Sequence, residues 1–491
     1  MHKPDLETFR HLAGEAGLVP VYREIVADLD TPLTIFAKVA AFDSHAFLFE
    51  SLEGGEKWGR YSFIGFDPLL TFTSFQERME INRSGKSEER SGNPLQELRS
   101  LLASFRAHQS DSLPRFFGGL VGYLGYDMVR FMEHLPDTHA PLDLPDSSFM
   151  VPKTVLIHDS FRQKLHIVNC VEISEGDDYT VLYQAACSRI DAVAAKLKQP
   201  LPYDFVDSPA GDHEHRFAAN MDEDSFKKMV ETAKEYILAG DIIQVVLSQR
   251  FHSKTKLSPF ALYRALRHIN PSPYLFYLQL GNVIQIGSSP EILVRLENGE
   301  IELRPIAGTR HRGATETEDR ELEEELLADP KERAEHLMLV DLGRNDAGRV
   351  ARHGSVEVRD LLVIERYSHV MHIVSGVHGL LAHDRDQFDV MSACFPAGTV
   401  SGAPKIRAME IIEELEPERR GPYAGAVGYF GFSGNMDFCI TIRTIIMQGN
   451  DLWIQAGAGI VADSEPEKEF EETLNKARGL RRAVELAEKG L

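Results

Sequence analysis

The sequence predicts an α+β protein, and three observations carry that prediction. Long apolar strand-like runs recur in the second part of the chain without a regular βαβ alternation. A hairpin is signalled by ILVRLE-NG-EIELRPI, where Asn298-Gly299 suits the positive-φ pair of a type I′ turn. An amphipathic helix is written by Phe226, Met229, Val230, Ala233 and Ile237, with Gly240 at the C-terminal stop position.

In chain order, residues 1–200 read as strands with a few helices. The alternation of LTIFAKVA (33–40) and LLTFTSF (69–75) predicts half-buried strands. The polar patch NRSGKSEERSGN (82–93) predicts an exposed loop before a helix around Pro94–Arg106. The run FFGGLVGYLGYDMVRFM (116–132) has neither GK[ST] nor GxGxxG, so its glycines predict close backbone packing in strands. A helix near 178–197 leads into QPLPYDFVDSPAGDHEHR (199–216), whose composition marks a boundary between a domain over 1–205 and one over 220–488. Beyond it the pattern predicts strand IIQVVLSQRF, a helix near 258–269, strand PYLFYLQL and the hairpin. A helix over 331–343, a strand over 368–380 and a helix over 404–415 started by Pro404 follow. Two long strands around GAVGYFGF and DFCITIRTIIM come next, then LWIQAGAGIV. A last helix over about 465–488 opens on a capping box of Ser464 and Glu467.

The 491 residues carry 53 Lys plus Arg against 75 Asp plus Glu, a net charge of −22. That balance argues against nucleic acid, whose binders need a basic stripe. An anionic substrate would need a bound cation or a local Arg/Lys cluster to reverse the field. Cys170, Cys187, Cys394 and Cys439 lie far apart with no CxxC, against a disulfide scaffold or a zinc ribbon. The amino terminus lacks a signal-peptide pattern and no apolar run is long enough to span a membrane, so a soluble cytoplasmic protein is expected.

Several polar residues fall where a bland core would not want them. Glu335 and Glu472 lie on predicted helices beside apolar positions. Helical carboxylates usually face solvent, but an oxygen-only pair would suit Mg²⁺. His372 in VMHIVSG reads as a satisfied core histidine or as an acid/base. Arg443 in CITIRTII is more telling, because a guanidinium among β-branched residues needs an anion partner.

Six ordered segments carry a family likeness: RPIAGTR (304–310), AEHLMLVDLGRND (334–346), HVMHIVSG (369–376), AGTVSGAPK (397–405), GAVGYFGFSGNMDFCITIRT (425–444) and AGAGIVADSEPEKEFEET (456–473). The chain resembles the chorismate-utilising enzymes, and within them the large subunits of the anthranilate synthases. The likeness is strong over about 220–480 and weaker before it, through LFES (48–51) and the GGLVGYLGYD run. It implies two intertwined domains built on antiparallel sheets flanked by helices, with chorismate as substrate and Mg²⁺ as cofactor. It further implies that Glu335 and Glu472 hold the metal, and that Gly308, Thr309, Lys405, Tyr423, Arg443 and the backbone of Gly457, Ala458 and Gly459 hold the substrate. Glu291 would be the general acid that expels the C4 hydroxyl, with His372 and Thr309 as its catalytic companions.

Two positions separate the branches of that family. Isochorismate and salicylate synthases resemble this chain except for a water-activating lysine where Gln244 stands. Aminodeoxychorismate synthases commonly place a nucleophilic lysine where Ala307 stands. With neither amine, ammonia attacks C2 directly and pyruvate is then lost, giving anthranilate. The runner-up, aminodeoxychorismate synthesis, stops before that loss; a catalytically silent regulator would be expected to lack Glu335, Glu472 or His372. No cysteine stands on a glycine-flanked elbow, so ammonia is expected from a separate glutamine amidotransferase subunit in a hetero-oligomer. By the same resemblance, Glu50 and Ser51 with Pro273, Tyr274 and Leu275 form a site for L-tryptophan as inhibitor. There a serine and a carboxylate receive the amino group and a Pro-Tyr-Leu wall packs the indole.

Overall fold

The computed structural model describes all residues except 52–58, 84, 111, 203–204, 206–215, 368–369 and 491. The core of the expected domain junction, 206–215, therefore lies outside the described residues. Every pairing between the named strands is antiparallel, and two strands organise the rest. Tyr61–Phe75 and Ser147–Asp159 pair along their whole length, with a register shift between Pro68 and Leu70 beside the positive φ of Asp67. At that bend they pass from one sheet into another.

The first sheet uses their Tyr61/Asp159 end. Outward on one side come Lys164–Glu172 and Leu18–Val26; on the other come His45–Glu50, Tyr274–Leu280, Val283–Ser289, Thr444–Gln448, Asp451–Ile460 and Gln244–Lys254. The second sheet uses their other end. It runs through Gly119–Leu124, Ala426–Gly431, Met436–Ile440, Ile292–Glu297 and Glu300–Leu303 to Val370–Leu380. Residues before 205 and after 220 thus interleave in both sheets. Alternation along each strand of the first sheet splits the core. Leu18, Phe47, Phe276 and Leu278 pack between the sheets, while Val19, Leu48, Leu275 and Tyr277 pack under the helices outside.

Four local expectations are corrected. LTIFAKVA lies in a helix, Pro32–Val39, because Thr31 and Thr34 form a capping box and Pro32 pre-sets the first turn, which outweighs the alternation. The 82–93 patch belongs to a hairpin, Arg78–Arg83 with Lys86–Ser91; the first strand buries Met79 and Ile81, and the charges of the exposed second strand blunt a sheet edge. DFCITIRTIIM breaks at Thr441–Arg443 into two strands, with Arg443 at φ 49°. Ser464 does not cap the last helix, Pro466–Glu488; its hydroxyl instead accepts from the Val461 N–H at 3.0 Å. The other helices and the Asn298-Gly299 turn (φ 52° and 81°) fall where expected, as does the helix stop at Gly240 (φ 84°). No described helix is long and apolar enough to cross a membrane.

Candidate active site

A cavity of about 630 Å³ opens where the ends of the two sheets face each other. The first sheet contributes Gln244, Val246, Gly457 and Gly459, and the second contributes Gly308, Thr309 and His372. Helix Pro330–Gly348 brings Glu335, and helix Pro466–Glu488 brings Glu472. The broken strand supplies Arg443. A residue held at positive φ there directs its side chain into the cavity, where an unbroken strand would continue the ladder.

Burial sets the protonation states. Glu291, 8 % exposed, is pushed up to about 8 by desolvation, against the opposing pull of the Thr399 hydroxyl, Arg443 and Lys476. His372 is pushed below its ordinary value, first by burial and then by Arg443, although its bond to Gly308 works the other way. Its Nδ1 lies 3.0 Å from the Gly308 carbonyl oxygen and 3.0 Å from Thr309 Oγ1. A carbonyl can only accept, so the proton sits on Nδ1 and Nε2 is left with a lone pair. Gly308 makes this possible: it sits at φ 68° in a register shift between Ala307 and Thr309 that lifts its carbonyl out of the ladder.

Glu335 is raised mainly by burial, and Glu332 and Glu472 raise it further. Its Oε1 accepts from Gln244 Nε2 at 2.9 Å, which fixes which way that amide points. Glu472 Oε1 is 2.7 Å from the Lys476 ammonium, which also donates to the Gly457 carbonyl at 2.9 Å. Two mutually repelling carboxylates in one cavity, without a sulfur or imidazole donor between them, fit a hard cation such as Mg²⁺. Among the described residues no group of three or more His, Cys, Asp or Glu is arranged around a metal position, so the rest of a shell would come from substrate and water.

Of the residues expected at the substrate, Gly308, Thr309, Tyr423, Arg443, Gly457 and Gly459 line the cavity. Ala458 is fully buried in the adjacent core, and Lys405 stands away from the cavity with its ammonium 2.7 Å from Asp346. That pair ties helix Lys405–Leu415 to the end of helix Pro330–Gly348. Lys476 was missed, although its i, i+4 spacing from Glu472 was legible.

Glu50, Ser51, Pro273, Tyr274 and Leu275 come together around a second cavity, of about 60 Å³. The strands that carry them are paired, Leu275 opposite Glu50. The Glu50 carboxylate does not face that space unengaged: Tyr263 Oη donates to it at 2.6 Å and Arg267 Nε at 3.1 Å. The far wall holds Arg115, Arg295 and Asp437, with Tyr274 Oη donating to Asp437 at 2.9 Å. Arg295, between Val294 and Leu296, offered the same signal as Arg443 and was not read.

Comparison with known proteins identifies the family and the fold. A family profile described as chorismate binding enzyme matches residues 45–482. Anthranilate synthase component 1 of Aquifex aeolicus is 50% identical, with 98% of each chain covered, and that of Acetivibrio thermocellus is 47% identical, with 99% of each covered. The crystal structure of anthranilate synthase component I from Streptococcus pneumoniae superposes with a TM-score of 0.75 at 36% identity, over 93% of this chain and 98% of that one. The menaquinone-specific isochorismate synthase of Escherichia coli shares the fold, with a TM-score of 0.69 at 22% identity. The chain belongs to the chorismate binding enzyme family.

Proposed function

We propose that this chain makes anthranilate from chorismate and ammonia, as the committed step of tryptophan biosynthesis. The observation that carries the reading is a buried carboxyl and a buried imidazole lining one cavity: desolvation pushes Glu291 up to about 8, and His372 is pushed down and turns Nδ1 to the Gly308 carbonyl at 3.0 Å, leaving Nε2 as the basic atom. Arg443, Tyr423, Thr309 and the backbone of Gly308, Gly457 and Gly459 hold the substrate's carboxylates and ring. As ammonia bonds to C2, the ring double bonds shift and the C4 oxygen departs with the proton of Glu291. His372 Nε2 then takes the C2 proton; the electrons of that C–H bond close the aromatic ring as the C3–O bond breaks, and the enolate of pyruvate leaves and takes a proton from water at its methylene carbon. Gln244 and Ala307 line the same cavity and offer no amine to activate water or to attack in place of ammonia.

Glu335 and Glu472 would hold Mg²⁺, which when bound neutralises a substrate carboxylate and fixes its position. Lys405 is reassigned from substrate contact to bracing the two helices. A separate glutaminase subunit is supported by the thiols. Cys170, Cys394 and Cys439 are buried and pushed up by desolvation, and Cys187 is raised for the same reason, so none is an activated nucleophile. The Glu50–Leu275 cavity takes L-tryptophan as inhibitor. The two chain parts, 1–205 and 220–488, act as the two domains, and the protein works in the cytoplasm.

The test is the purified chain with chorismate, Mg²⁺ and ammonium at alkaline pH, with products read by mass and anthranilate fluorescence. Anthranilate is expected from ammonium but not from glutamine. A product that keeps the enolpyruvyl group would refute the reading. Glu335→Gln and Glu472→Gln should each weaken Mg²⁺ binding by titration calorimetry and abolish turnover with the fold intact. Wild-type metal affinity in both would sink the metal assignment.

A further inference from the structure

A buried ion pair stands behind the catalytic cavity. Arg420 is 2 % exposed and is among the largest fully buried side chains of the protein. Its fork closes on Glu416, with Nε donating at 2.9 Å and Nη2 at 2.6 Å. The guanidinium also donates to two carbonyls, Nη1 to Val400 at 2.7 Å and Nη2 to Val246 at 2.6 Å. Glu416 is satisfied in turn, its Oε1 accepting from the Ser248 N–H and hydroxyl, both at 2.8 Å. A pair so completed recovers its desolvation cost, yet apolar residues of similar volume often hold a fold as well. Stability alone is therefore a weak reason to bury this charge.

What Arg420 touches points elsewhere. Val246, Val400 and Tyr423 all line the catalytic cavity, and they come from parts of the chain far apart in sequence. The guanidinium carbon lies 5.7 Å from the centre of the Tyr423 ring and 4.8 Å from that of Tyr126. The loop that carries Tyr423 enters the left-handed region twice, at Gly421 (φ 60°) and Ala424 (φ 61°). A residue such as Ala424 holds that conformation only where its surroundings impose it. Part of the imposition comes from the first part of the chain: the Tyr126 N–H donates to the Gly421 carbonyl at 2.7 Å, and Asp127 accepts from the Gly421 N–H at 2.9 Å. The far end of the ring is placed as closely, since a Cβ on Gly457 would lie 2.8 Å from Tyr423 Oη.

We infer that Arg420 is a positioning residue for the substrate: it fixes the Tyr423 ring so that the hydroxyl stands beside Gly457, ready for a chorismate carboxylate. This rests on the substrate grip proposed above. Two effects combine. A planar fork bound to Glu416 and to two carbonyls cannot turn, so the ring resting on it is ordered before substrate arrives. Ordering in advance removes a cost that binding would otherwise carry. A cation over the ring also draws electron density from the phenol, which makes its hydroxyl a better donor to a carboxylate. Lysine would supply the charge without the fork.

The experiment is a double-mutant cycle on the chorismate KM, with ammonium as nitrogen source and chorismate consumption as the readout. Tyr423→Phe removes only the hydroxyl and should raise KM about tenfold, the worth of a bond to a charged group. Its kcat should change little, the mark of lost substrate binding. Arg420→Lys should raise KM about fivefold, the size of one ordinary hydrogen bond. Tyr126→Leu leaves the ion pair whole and takes away one ring, so it decides the matter should Arg420→Lys not fold. A rise of about two- to fivefold is expected there, as for a cation–π contact. In a Tyr423→Phe background neither change should raise KM further, whereas a general loosening of the fold would add its effect in full. Full additivity overturns the inference, as does a wild-type KM in Tyr126→Leu. A wild-type KM in Tyr423→Phe would refute the substrate grip, and this inference with it. A product that keeps the enolpyruvyl group would refute the anthranilate reading and leave this inference standing, because chorismate consumption is read in either case.

Discussion

At Glu291 a single carboxyl is asked to stay neutral in water-like pH, and burial alone can do that. Its value is raised from 4.5 to about 8, so the folded state binds its proton more tightly than the unfolded chain. The sign follows from linkage: the stability this group contributes is complete below pH 4.5 and is lost as pH rises to about 8. Glu291→Gln, which cannot ionise, should therefore be nearly inactive yet gain stability over wild type, and the gap in urea midpoint should widen from pH 4.5 to 8 and then level off. A constant gap across that range would show that Glu291 is not a buried neutral acid. His372→Met should slow pyruvate loss more than amination, by ~10²–10⁴-fold for a positioned base. The aminated, enolpyruvyl-bearing intermediate should then accumulate in the mass spectrum. Equal loss of both steps with no intermediate would remove the assigned role. At this scale Arg443 was legible from its apolar neighbours, whereas its positive φ was not, because strand periodicity carries no mark of a one-residue break.

Elements were read well where one signal dominated and badly where two competed. Helix Glu223–Ala239 had apolar spacing and a terminal glycine in agreement, and the structure adds Asp222 as its N-cap. Helix Pro32–Val39 had alternation pointing to a strand and a capping box pointing to a helix, and the local backbone bonds prevailed. The outer strand of the 82–93 hairpin, Lys86–Ser91, was invisible to hydrophobic pattern because both of its faces are wet. The Gly-rich run was read by its physical need. A Cβ on Gly122 would lie 2.0 Å from the Ser148 carbonyl oxygen and 2.7 Å from the Phe149 Cα, in strand Ser147–Asp159. Gly122→Ala should therefore force two backbones apart and cost about 1–3 kcal/mol, the usual penalty of overpacking. Urea denaturation would measure it, and an unchanged midpoint would mean that the strands are not so close.

Across the whole molecule, the sequence signalled two halves but not how they interleave, because strand partners so far apart leave no local trace. Only the family likeness joined Glu50–Ser51 to Pro273–Leu275, and the paired strands His45–Glu50 and Tyr274–Leu280 supply the physical reason. The cavity they form reaches the active site by short covalent paths. Cys439 lines it and Arg443 lies four residues on; Tyr274 pairs with Ser289, two residues before Glu291. If L-tryptophan binds there, it can bias both Arg443 and Glu291, and couplings of about 1–3 kcal/mol are typical. Ser51→Phe, which fills the small cavity, should abolish inhibition by L-tryptophan while turnover without it stays near wild type. Undiminished inhibition, or inhibition competitive with chorismate, would rule the site out.

The same interleaving governs how the chain must be made. Strand His45–Glu50 meets Tyr274–Leu280 only after more than two hundred further residues have left the ribosome, and Gly119–Leu124 waits still longer for Ala426–Gly431. At about 5–20 residues per second that is roughly 10–45 s of synthesis for the first strand alone. During that time a hydrophobic edge stays open to the wrong neighbour. Pairings of such long sequence separation also fold slowly. Nascent chains stalled before residue 274 should therefore be protease-sensitive and bound by chaperones, with protection appearing only once nearly the entire polypeptide has emerged.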